Sequence, residues 1–388
     1  MGQSASTWLS PAPDELLAEL RLFSMEAPDS YWGARAAARF HWAVNMNNWN
    51  PEGGSEGEEF RLLLSLLPDE EQQAVMQYRA LQDRKRTLTG RLLSLRACAQ
   101  AIGDPDFEQI QISRTRGKKP FLHFPLASNL PNFNFNVSHD GNWVVLASDS
   151  LHLVGVDVSA PQVERGDRED ETWFQDLSMV LTESERETIN SGSSHQERYA
   201  IFQRIWSAKE AVAKAIGQGL SFGLERMEVT LPDLPQEEGL GGFVLSAIGL
   251  SRSDEREAKR GRMSFSPAEG KEPRHRARTR KVDVHIDHWP RADWRVYQEE
   301  LVGGAWASVA LGPVGEVVDA DGHFRTTFRL PRLGGPASVE ELAAQARKEE
   351  SARWLSEAQG FQMLDIDTLL PEEAKHRLSE LRVRSLAQ

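Results

Sequence analysis

The stretch FNFNVSH, at residues 133–139, constrains the fold of this chain more than any other feature of its sequence. Apolar and polar residues alternate along it, which is the two-residue period of a half-buried β-strand. The Asp140-Gly141 pair that follows is a hairpin-turn signature, and residues 143–147 form an apolar return strand. The sequence therefore predicts a β-hairpin that buries one face. The other face carries amides, a hydroxyl and a histidine, which a core does not require.

Two long segments have the spacing of helices. Residues 195–216 carry apolar side chains at intervals of three and four, and Gly217 stands where a left-handed residue ends a helix. Residues 68–100 have similar spacing, interrupted only by Gly90. A capping box, TESE at 182–185, predicts the start of another, shorter helix.

Strands are predicted before, between and after these helices. The order strand, helix, strands occurs twice, which indicates two similar halves that meet near residue 150. We therefore predict an α+β fold that is built as an α/β two-lobed arrangement, in which each lobe contains both a sheet and a helix. Two subdomains in a pseudo-twofold arrangement each pack a small antiparallel-rich sheet against a long helix. Besides the hairpin, the predicted strands lie at residues 40–44, 151–158, 225–231, 243–248, 294–301 and 305–311.

The chain divides into four segments on this basis. The two middle segments are the subdomains, and the last contains a helix at 339–359 and a second helix near its end. The segments are an N-terminal arm at 1–30 with a short helix at 13–23, the subdomains at 31–150 and 151–315, and a helical extension at 316–388 that looks appended to the core.

A basic stretch within the second subdomain, residues 251–281, departs from these patterns. Eleven lysines and arginines crowd into it with little periodicity. The interpretation that we prefer is a solvated, disordered insertion between two strands. The alternative is a local docking arm for acidic partners, because local charge can steer a partner even when net charge opposes the encounter.

Composition excludes several classes of protein. The 388 residues, 40% of them hydrophobic, suffice for two or three domains with a real core. A net charge of −13 argues against whole-molecule attraction to nucleic acid or to an anionic membrane. No apolar run is long enough to predict a membrane span, and the single cysteine, Cys98, allows no intramolecular disulfide. These features predict a cytoplasmic protein.

The first six residues, MGQSAS, fit the N-myristoylation pattern with Gly2 as the acceptor. The segment behind them is acidic, with Asp14, Glu15 and Glu19, and supplies no basic patch as a second anchor. The sequence shows no basic-then-apolar leader, so a secretory signal is not predicted. Stable membrane anchoring is therefore not expected.

Four groups of polar residues are candidates for a functional site. The turn RTRGKK, at 114–119, places four cations around one glycine, which suits a phosphate-rich ligand. The other groups lie at the end of the hairpin strand, in a strand behind a glycine, and one turn apart on a long helix. They are Asn136, Ser138 and His139; Asp157; and Glu210 with Lys214.

Each group taken alone has an ordinary structural explanation, such as a solvated turn, a structural histidine or an i,i+4 helix ion pair. The two carboxylates favour a site when they are taken together. Asp157 and Glu210 are suited to hold one hard cation, because Mg²⁺ prefers one or two carboxylates with waters and phosphate oxygens. The basic turn at 114–119 would supply the phosphate side.

These segments resemble the 4′-phosphopantetheinyl transferase superfamily, in its long two-lobed class, closest to the eukaryotic aminoadipate-semialdehyde dehydrogenase type. A G-[IV]-D motif paired with W-x-x-K-E-x-x-x-K is the specific signature. The resemblance spans roughly residues 38–232 and resumes at 294–312. The matching motifs are GRLLSLR (90–96), RTRGKKPF (114–121), FNFNVSH (133–139), VGVD (154–157) and WSAKEAVAKAIGQGLSFGL (206–224).

The resemblance implies a monomeric enzyme that transfers 4′-phosphopantetheine from coenzyme A to a serine of apo acyl, peptidyl or aryl carrier domains. Adenosine 3′,5′-bisphosphate would be released. Asp157 and Glu210 would bind Mg²⁺; Glu210, Lys214 and His139 would be catalytic, with Glu210 taking the serine proton. By this likeness the coenzyme A site comprises Arg114, Thr115, Arg116, Gly117, Lys118, Lys119, Asn136, Val137, Ser138, His139, Asp157, Glu210 and Lys214.

Two departures from the family pattern stand out. Many relatives have a second acid two residues after the aspartate, where this chain has Ser159. Relatives also carry an arginine at the start of the first long helix that contacts coenzyme A, and the matching stretch here, EQQA at 71–74, has none. The first departure predicts a weaker metal site, and the second predicts a lower affinity for coenzyme A.

Two other functions stay open at this point. A degenerate homologue would bind coenzyme A or carrier domains without turnover, although intact Asp157, Glu210 and Lys214 argue against it. A scaffold protein would instead use the basic stretch and the helical tail as its working parts.

Overall fold

The computed structural model of the protein describes residues 39–103, 106–107, 110–123, 133–150, 152–161, 178–232, 279–322, 324 and 360–386. Several predictions lie outside these residues: the N-terminal arm with its helix and Gly2, the strand at 243–248, all but the last three residues of the basic stretch, and the helix at 339–359.

The described residues contain twelve strands and six α-helices. The strands are β1 (His41–Asn45), β2 (Ile112–Arg114), β3 (Pro120–Leu122), β4 (Asn134–Asp140), β5 (Trp143–Asp149), β6 (Leu153–Ser159), β7 (Met227–Thr230), β8 (Arg280–Ile286), β9 (Trp289–Pro290), β10 (Arg295–Leu301), β11 (Ala305–Gly312) and β12 (Gln362–Met363). The helices are α1 (Glu58–Leu64), α2 (Asp69–Met76), α3 (Leu81–Ile102), α4 (Glu183–Asn190), α5 (His195–Ile216) and α6 (Glu372–Leu386).

The predicted hairpin is confirmed as β4 and β5, and it belongs to the four-stranded sheet of the first lobe. Asp140 lies opposite Trp143, and Gly141 turns the chain with a φ of 52°. The sheet order is β12-β1-β5-β4, with β12 parallel to β1 and the other pairs antiparallel. The apolar face of β4 packs on α3, where Gly90 lets the helix approach: a Cβ there would lie 3.4 Å from Val137 Cγ1.

The first long helix is shorter than its sequence pattern predicts. The helical structure is interrupted between α2 and α3, at residues 77–80. It is not interrupted at Gly90, which lies inside α3. The true start of the long helix is therefore LQDRKR, at residues 81–86, which carries three cations. The prediction of one helix over residues 68–100 that is interrupted only at Gly90 is therefore wrong: two helices separate at 77–80. Gly90 is tolerated inside α3 because β4 comes close there.

The second lobe has a six-stranded antiparallel sheet in the order β6-β11-β10-β8-β7, with β9 paired to β8. The capping box at 182–185 begins α4, and Gly217 ends α5 with a φ of 88°. Both α3 and α5 have 22 residues, so each lobe packs one long helix on its sheet, as predicted. Arg280 and Lys281 begin β8 and are not part of a disordered insertion.

Helix α5 lies directly on β6 at Gly155. A Cβ on Gly155 would lie 2.0 Å from the Ala211 carbonyl oxygen and 2.4 Å from the Ala215 nitrogen. Only glycine permits this distance between the two backbones. The glycine of the G-[IV]-D motif therefore sets the separation between the strand and the helix that carry the candidate carboxylates.

The polar face of β4 joins the two sheets. Strands β4 and β6 are the facing edges of their sheets, and every second β4 side chain accepts a hydrogen bond from a backbone N–H of β6 or the residue after it. We call this set the side-chain ladder. Its bonds run from Val154 to Asn134 Oδ1 (2.9 Å), Val156 to Asn136 Oδ1 (3.1 Å), Val158 to Ser138 Oγ (3.4 Å) and Ala160 to Asp140 Oδ2 (2.8 Å).

The side-chain ladder explains most of the polar face that the sequence left open. Its side chains satisfy backbone donors that would otherwise be buried without partners. The prediction that this face lines a nucleotide site therefore does not extend to Asn134 and Asp140, which serve the junction between the lobes.

Residues 360–386 are built into the first lobe and are not appended to it. Strand β12 extends the sheet, with Gln362 opposite Trp42. The Phe361 N–H donates to Glu299 Oε2 (2.7 Å) on β10 of the second lobe. Apolar side chains of this segment share the core of α3: Ile366, Leu369, Leu370, Ala374 and Leu378. Among the described residues, no helix has the length and apolar character to cross a membrane.

Candidate functional site

A cleft of about 360 Å³ lies between the two lobes, where α3, the basic turn, the end of β4 and α5 meet. Most of the predicted coenzyme A site residues line it. The lining residues are Tyr78, Thr87, Gly90, Arg91, Ser94, Arg114, Gly117, Lys118, Lys119, Pro120, Asn136, Val137, His139, Glu210, Lys214 and Gly217. Thr115, Arg116, Ser138 and Asp157 were predicted with them but lie outside this lining.

The basic turn connects β2 and β3 and rests on the C-terminal end of α5. Within it the Thr115 N–H donates to the Lys119 carbonyl (2.9 Å), and Lys118 adopts a φ of 67°. A Cβ on Gly117 would lie 1.8 Å from the Gly217 carbonyl oxygen. Gly117 is therefore required for close packing of the turn against the helix, beyond its predicted place beside a ligand.

Lys119 differs from its predicted role because its ammonium group points into the protein. It is buried, and its Nζ donates to the carbonyls of Val154 (2.6 Å) and Lys214 (3.4 Å). Burial lowers the pKa of Lys119 to about 7. These contacts attach the basic turn to β6 and to the last turn of α5, so Lys119 supports the cleft instead of presenting its charge to a ligand.

The remaining residues of the turn divide in the same way. Arg114 and Lys118 face the cleft. Thr115 is buried, and its hydroxyl accepts a hydrogen bond from the Lys119 N–H (3.2 Å), which closes the turn. Arg116 is exposed on the outer side. Arg114 and Lys118 are therefore the two cations of this turn whose charged groups are directed to the cleft.

Ser138, Asp157 and Lys214 form one hydrogen-bonded cluster beside the cleft. The Ser138 hydroxyl donates to Asp157 Oδ1 (2.8 Å), and the Lys214 ammonium donates to Ser138 Oγ (2.9 Å) and Asp157 Oδ1 (2.5 Å). Burial raises the pKa of Asp157, although Lys214 opposes this shift. Ser138 thus orients a carboxylate and an ammonium group, which differs from the phosphate contact that the sequence predicted.

Glu210 completes the acidic side of the cleft. Its Oε1 is buried and has no hydrogen-bond partner. Burial raises the pKa of Glu210; the charge of Lys214 opposes this shift, and the charge of Asp157 adds to it. An orphaned carboxylate oxygen near a second carboxylate is the hard oxygen donor set that Mg²⁺ takes in proteins. The two residues therefore fit Mg²⁺. No group of three or more His, Cys, Asp or Glu suited to a metal occurs in the described parts of the chain.

His139 is the last residue but one of β4 and lies at the mouth of the cleft, next to α3. Its side chain is exposed to the cleft, and desolvation by the cleft walls, together with the charges of Arg86 and Lys214, lowers the pKa of His139. Arg86 also donates to the Gly141 carbonyl (2.7 Å), which fixes the hairpin turn. The His139 imidazole is therefore a neutral hydrogen-bonding group at neutral pH.

Sequence reasoning missed the contribution of α3 to the cleft. Arg91 lines it, and the Arg91 Nε lies 2.6 Å from Glu71 Oε2 on α2. The stretch at 71–74 lacks the arginine of the relatives, as noted, but α3 brings another arginine to the cleft. The motif GRLLSLR contained the signal, since Arg91 follows the glycine at which α3 meets β4.

The first lysine of the helix motif, Lys209, is structural. Its ammonium group is buried and donates to Glu185 Oε2 (2.5 Å) and to the Val180 carbonyl (2.9 Å). Glu185 also accepts a hydrogen bond from the Val229 N–H (2.9 Å) of β7. Lys209 therefore anchors α5 to α4 and β7, and this fixes the rotation of the helix that presents Glu210.

Comparison with protein families supports this arrangement. Residues 47–151 match the family described as 4′-phosphopantetheinyl transferase, N-terminal, and residues 153–244 match the 4′-phosphopantetheinyl transferase superfamily. The two matches adjoin at the boundary between the first sheet and β6.

Individual relatives are similar over about half of the chain. L-aminoadipate-semialdehyde dehydrogenase-phosphopantetheinyl transferase of Xenopus laevis is 34% identical over 51% of this chain and 64% of its own length. The Homo sapiens protein of the same name is 32% identical over 51% and 62%. Phosphopantetheinyl transferase of a Thraustochytrium species is 34% identical over 50% and 65%. The chain thus spans less than two thirds of the length of these relatives.

Proposed function

We propose that this chain, which belongs to the 4′-phosphopantetheinyl transferase superfamily, transfers 4′-phosphopantetheine from coenzyme A to a serine of apo carrier domains. One observation carries the proposal: the cleft is lined by Glu210 and Lys214 of α5 and also by the cations of α3 and the basic turn, Arg91, Arg114 and Lys118. A ligand with a pyrophosphate at one end and a further phosphate at the other fits that division of charge.

The reaction is a phosphoryl transfer. The serine oxygen forms a bond to the phosphorus that carries pantetheine, and the bond from this phosphorus to the oxygen of adenosine 3′,5′-bisphosphate breaks. Glu210 accepts the serine proton, for which a carboxylate with a raised pKa is suited. Lys214 donates to the phosphate oxygens as negative charge shifts to the leaving group, and His139 hydrogen-bonds the phosphates as a neutral imidazole.

Asp157 and Glu210 would hold Mg²⁺, which supplies charge neutralisation on the pyrophosphate when it is bound. Ser138 keeps Asp157 oriented through its hydroxyl (2.8 Å), and the side-chain ladder holds Ser138 in place. The chain's own contribution is to position these groups and to exclude water from the buried side of the cleft.

The partners follow from the same proposal. Coenzyme A is the donor, and the acceptors are acyl, peptidyl or aryl carrier domains, including those of the aminoadipate reductase type. The names of the Xenopus and human relatives support the latter. We propose that the protein acts as a monomer, because the cleft lies between two lobes of one chain. We also propose that it acts in the cytoplasm, as its composition and single cysteine predict.

Mass spectrometry tests the function directly. The protein is incubated with coenzyme A, Mg²⁺ and an apo carrier domain, and the carrier should gain the mass of one phosphopantetheine. Coenzyme A binding without any mass gain, across several carrier types, would favour a non-catalytic homologue. Neither binding nor transfer would favour a scaffold.

Lys118→Ala should raise the KM for coenzyme A about tenfold with little change in kcat, because a contact kept throughout the reaction affects binding and not the chemical step. Steady-state kinetics with varied coenzyme A measures this. Arg116→Ala is the matched control from the outer side of the same turn, and its KM should stay at the wild-type value. If Arg116→Ala raised the KM for coenzyme A and Lys118→Ala did not, Arg116 and not Lys118 would be the residue of the turn that contacts coenzyme A.

Ser159→Glu should tighten Mg²⁺ binding to the protein without coenzyme A. Alternation along β6 puts residue 159 on the same face as Asp157, so the variant adds a third carboxylate to the metal side. Calorimetric titration with Mg²⁺ measures the affinity, and Ser159→Ala, which adds no ligand, is the control. Equal affinities in the three proteins would show that residue 159 does not face the metal.

A further inference from the structure

Two arginines that line the cleft already share a carboxylate of the protein. Glu71, on α2, lies 2.6 Å from the Arg91 Nε and 3.8 Å from an Nη atom of Arg114. Its side chain is 29% exposed, and those of Arg91 and Arg114 are 27% and 34% exposed. Three separate elements, α2, α3 and β2, thus meet through one partly solvated cluster of charges.

This cluster lies away from the reacting groups. The turn that follows Arg114 packs on Gly217, seven residues beyond Glu210, which is about 10 Å along the axis of α5. At the other end, Lys214 is held by Asp157 and Ser138. The cleft therefore has two centres of positive charge, one beside the carboxylates and one formed by Arg91 and Arg114.

A phosphate monoester is the natural partner for the second centre, because two guanidinium groups bind its oxygens with paired hydrogen bonds. Glu71 places a carboxylate, of the same sign as the incoming phosphate, in ion-pair contact with the guanidinium groups of Arg91 (2.6 Å) and Arg114 (3.8 Å). A phosphate that binds there must either displace Glu71 or accept its repulsion at close range. Each course lowers the affinity for that phosphate.

We infer that Glu71 is a specificity-determining residue, an internal counter-ion that the 3′-phosphate of coenzyme A must displace from Arg91 and Arg114. This inference rests on the proposed function, in which the pyrophosphate lies at the carboxylate end. The 3′-phosphate is then the one other anionic group of the ligand. Glu71 reduces the preference of the cleft for coenzyme A over dephospho-coenzyme A, which lacks that group.

Glu71→Gln tests the inference by binding alone. Calorimetry with coenzyme A and with dephospho-coenzyme A, without a carrier domain, gives four affinities for the variant and the unaltered protein. We expect Glu71→Gln to tighten coenzyme A about tenfold, as loss of one like charge at short range predicts. Dephospho-coenzyme A should change less than about twofold. High salt should reduce the gain.

Glu70→Gln is the matched control, because Glu70 is the exposed neighbour of Glu71 on α2 and its removal changes the net charge equally. It should leave both affinities unchanged. If Glu71→Gln behaves like this control, tightens both ligands alike, or weakens coenzyme A, the inference is overturned. The last result would mean that Glu71 holds the arginines ready for the phosphate.

Failure of the proposed function would look different. If the unaltered protein binds neither ligand, the proposed function and the inference fail together. If it binds coenzyme A and modifies a carrier domain while Glu71→Gln matches Glu70→Gln, only the inference fails.

Discussion

Glu210→Gln should lower the kcat for carrier modification by about 10²–10⁴-fold and leave the protein folded. The amide cannot accept the serine proton and is a poor ligand for Mg²⁺. The fold should tolerate it, because Glu210 is buried with an unpartnered oxygen and α5 keeps its apolar stripe. Quenched-flow or steady-state transfer assays measure the rate, and circular dichroism with thermal melting checks the fold.

Glu187→Gln provides the control for this variant. Glu187 is exposed on α4, away from the cleft, and its replacement removes the same charge. Its kcat should equal that of the unaltered protein. A Glu210→Gln variant with activity within tenfold of the control would contradict the assignment of Glu210 as the base.

Gly155→Ala should damage stability and catalysis together. The added Cβ would lie 2.0 Å and 2.4 Å from backbone atoms of α5, which cannot rotate away as a side chain would. We expect the free energy of unfolding to fall by about 3 kcal/mol, at the upper end for overpacked cores. Because β6 carries Asp157 and α5 carries Glu210 and Lys214, separating the two elements should also reduce kcat at temperatures where the variant is folded.

Gly315→Ala is the control for backbone effects. A Cβ at Gly315 meets no atom within 4 Å, and its φ is not in the left-handed region, so its melting temperature should be close to that of the unaltered protein. Denaturant unfolding of both variants gives the comparison. An unchanged melting temperature for Gly155→Ala would contradict the short distance between the backbones of β6 and α5.

Periodicity predicted the main elements because it reports burial directly. The β4–β5 hairpin, the capping box of α4 and the full length of α5 with its Gly217 cap agree with the structure. In each case a local rule and the tertiary packing favour the same conformation. The break between α2 and α3 was missed because no proline or glycine marks residues 77–80, while the glycine that drew attention, Gly90, is required by packing.

The residue types in the sequence indicated which side chains have unusual roles. They were a poorer guide to what those roles are. The unusual polar residues of β4 do matter, but several of them bond to β6 instead of to a ligand. Lys119 is a cation in a basic turn, yet its ammonium group points to two carbonyls. A sequence shows the donors and acceptors that a segment carries, and only the fold determines which of them are used internally.

The ion cluster of Glu71 illustrates the same limit at long range. Glu71 belongs to the stretch that lacks the expected arginine, and Arg91 belongs to the motif GRLLSLR, for which the sequence predicted no role. Their contact requires α2 and α3 to be separate helices, so the error in the helix boundary also concealed this pair.

The side-chain ladder has a consequence for the solubility of the protein. An exposed edge strand offers unpaired backbone groups to other chains, and long edges are sites of aggregation. Strands β4 and β6, seven residues each, are the longest edges of the two sheets, and the ladder turns them toward each other. Within the described residues, the other edges of these two sheets are shorter: β12 and β9 have two residues each and β7 has four. By joining its lobes through side chains, the molecule protects both sheets from pairing with a second copy.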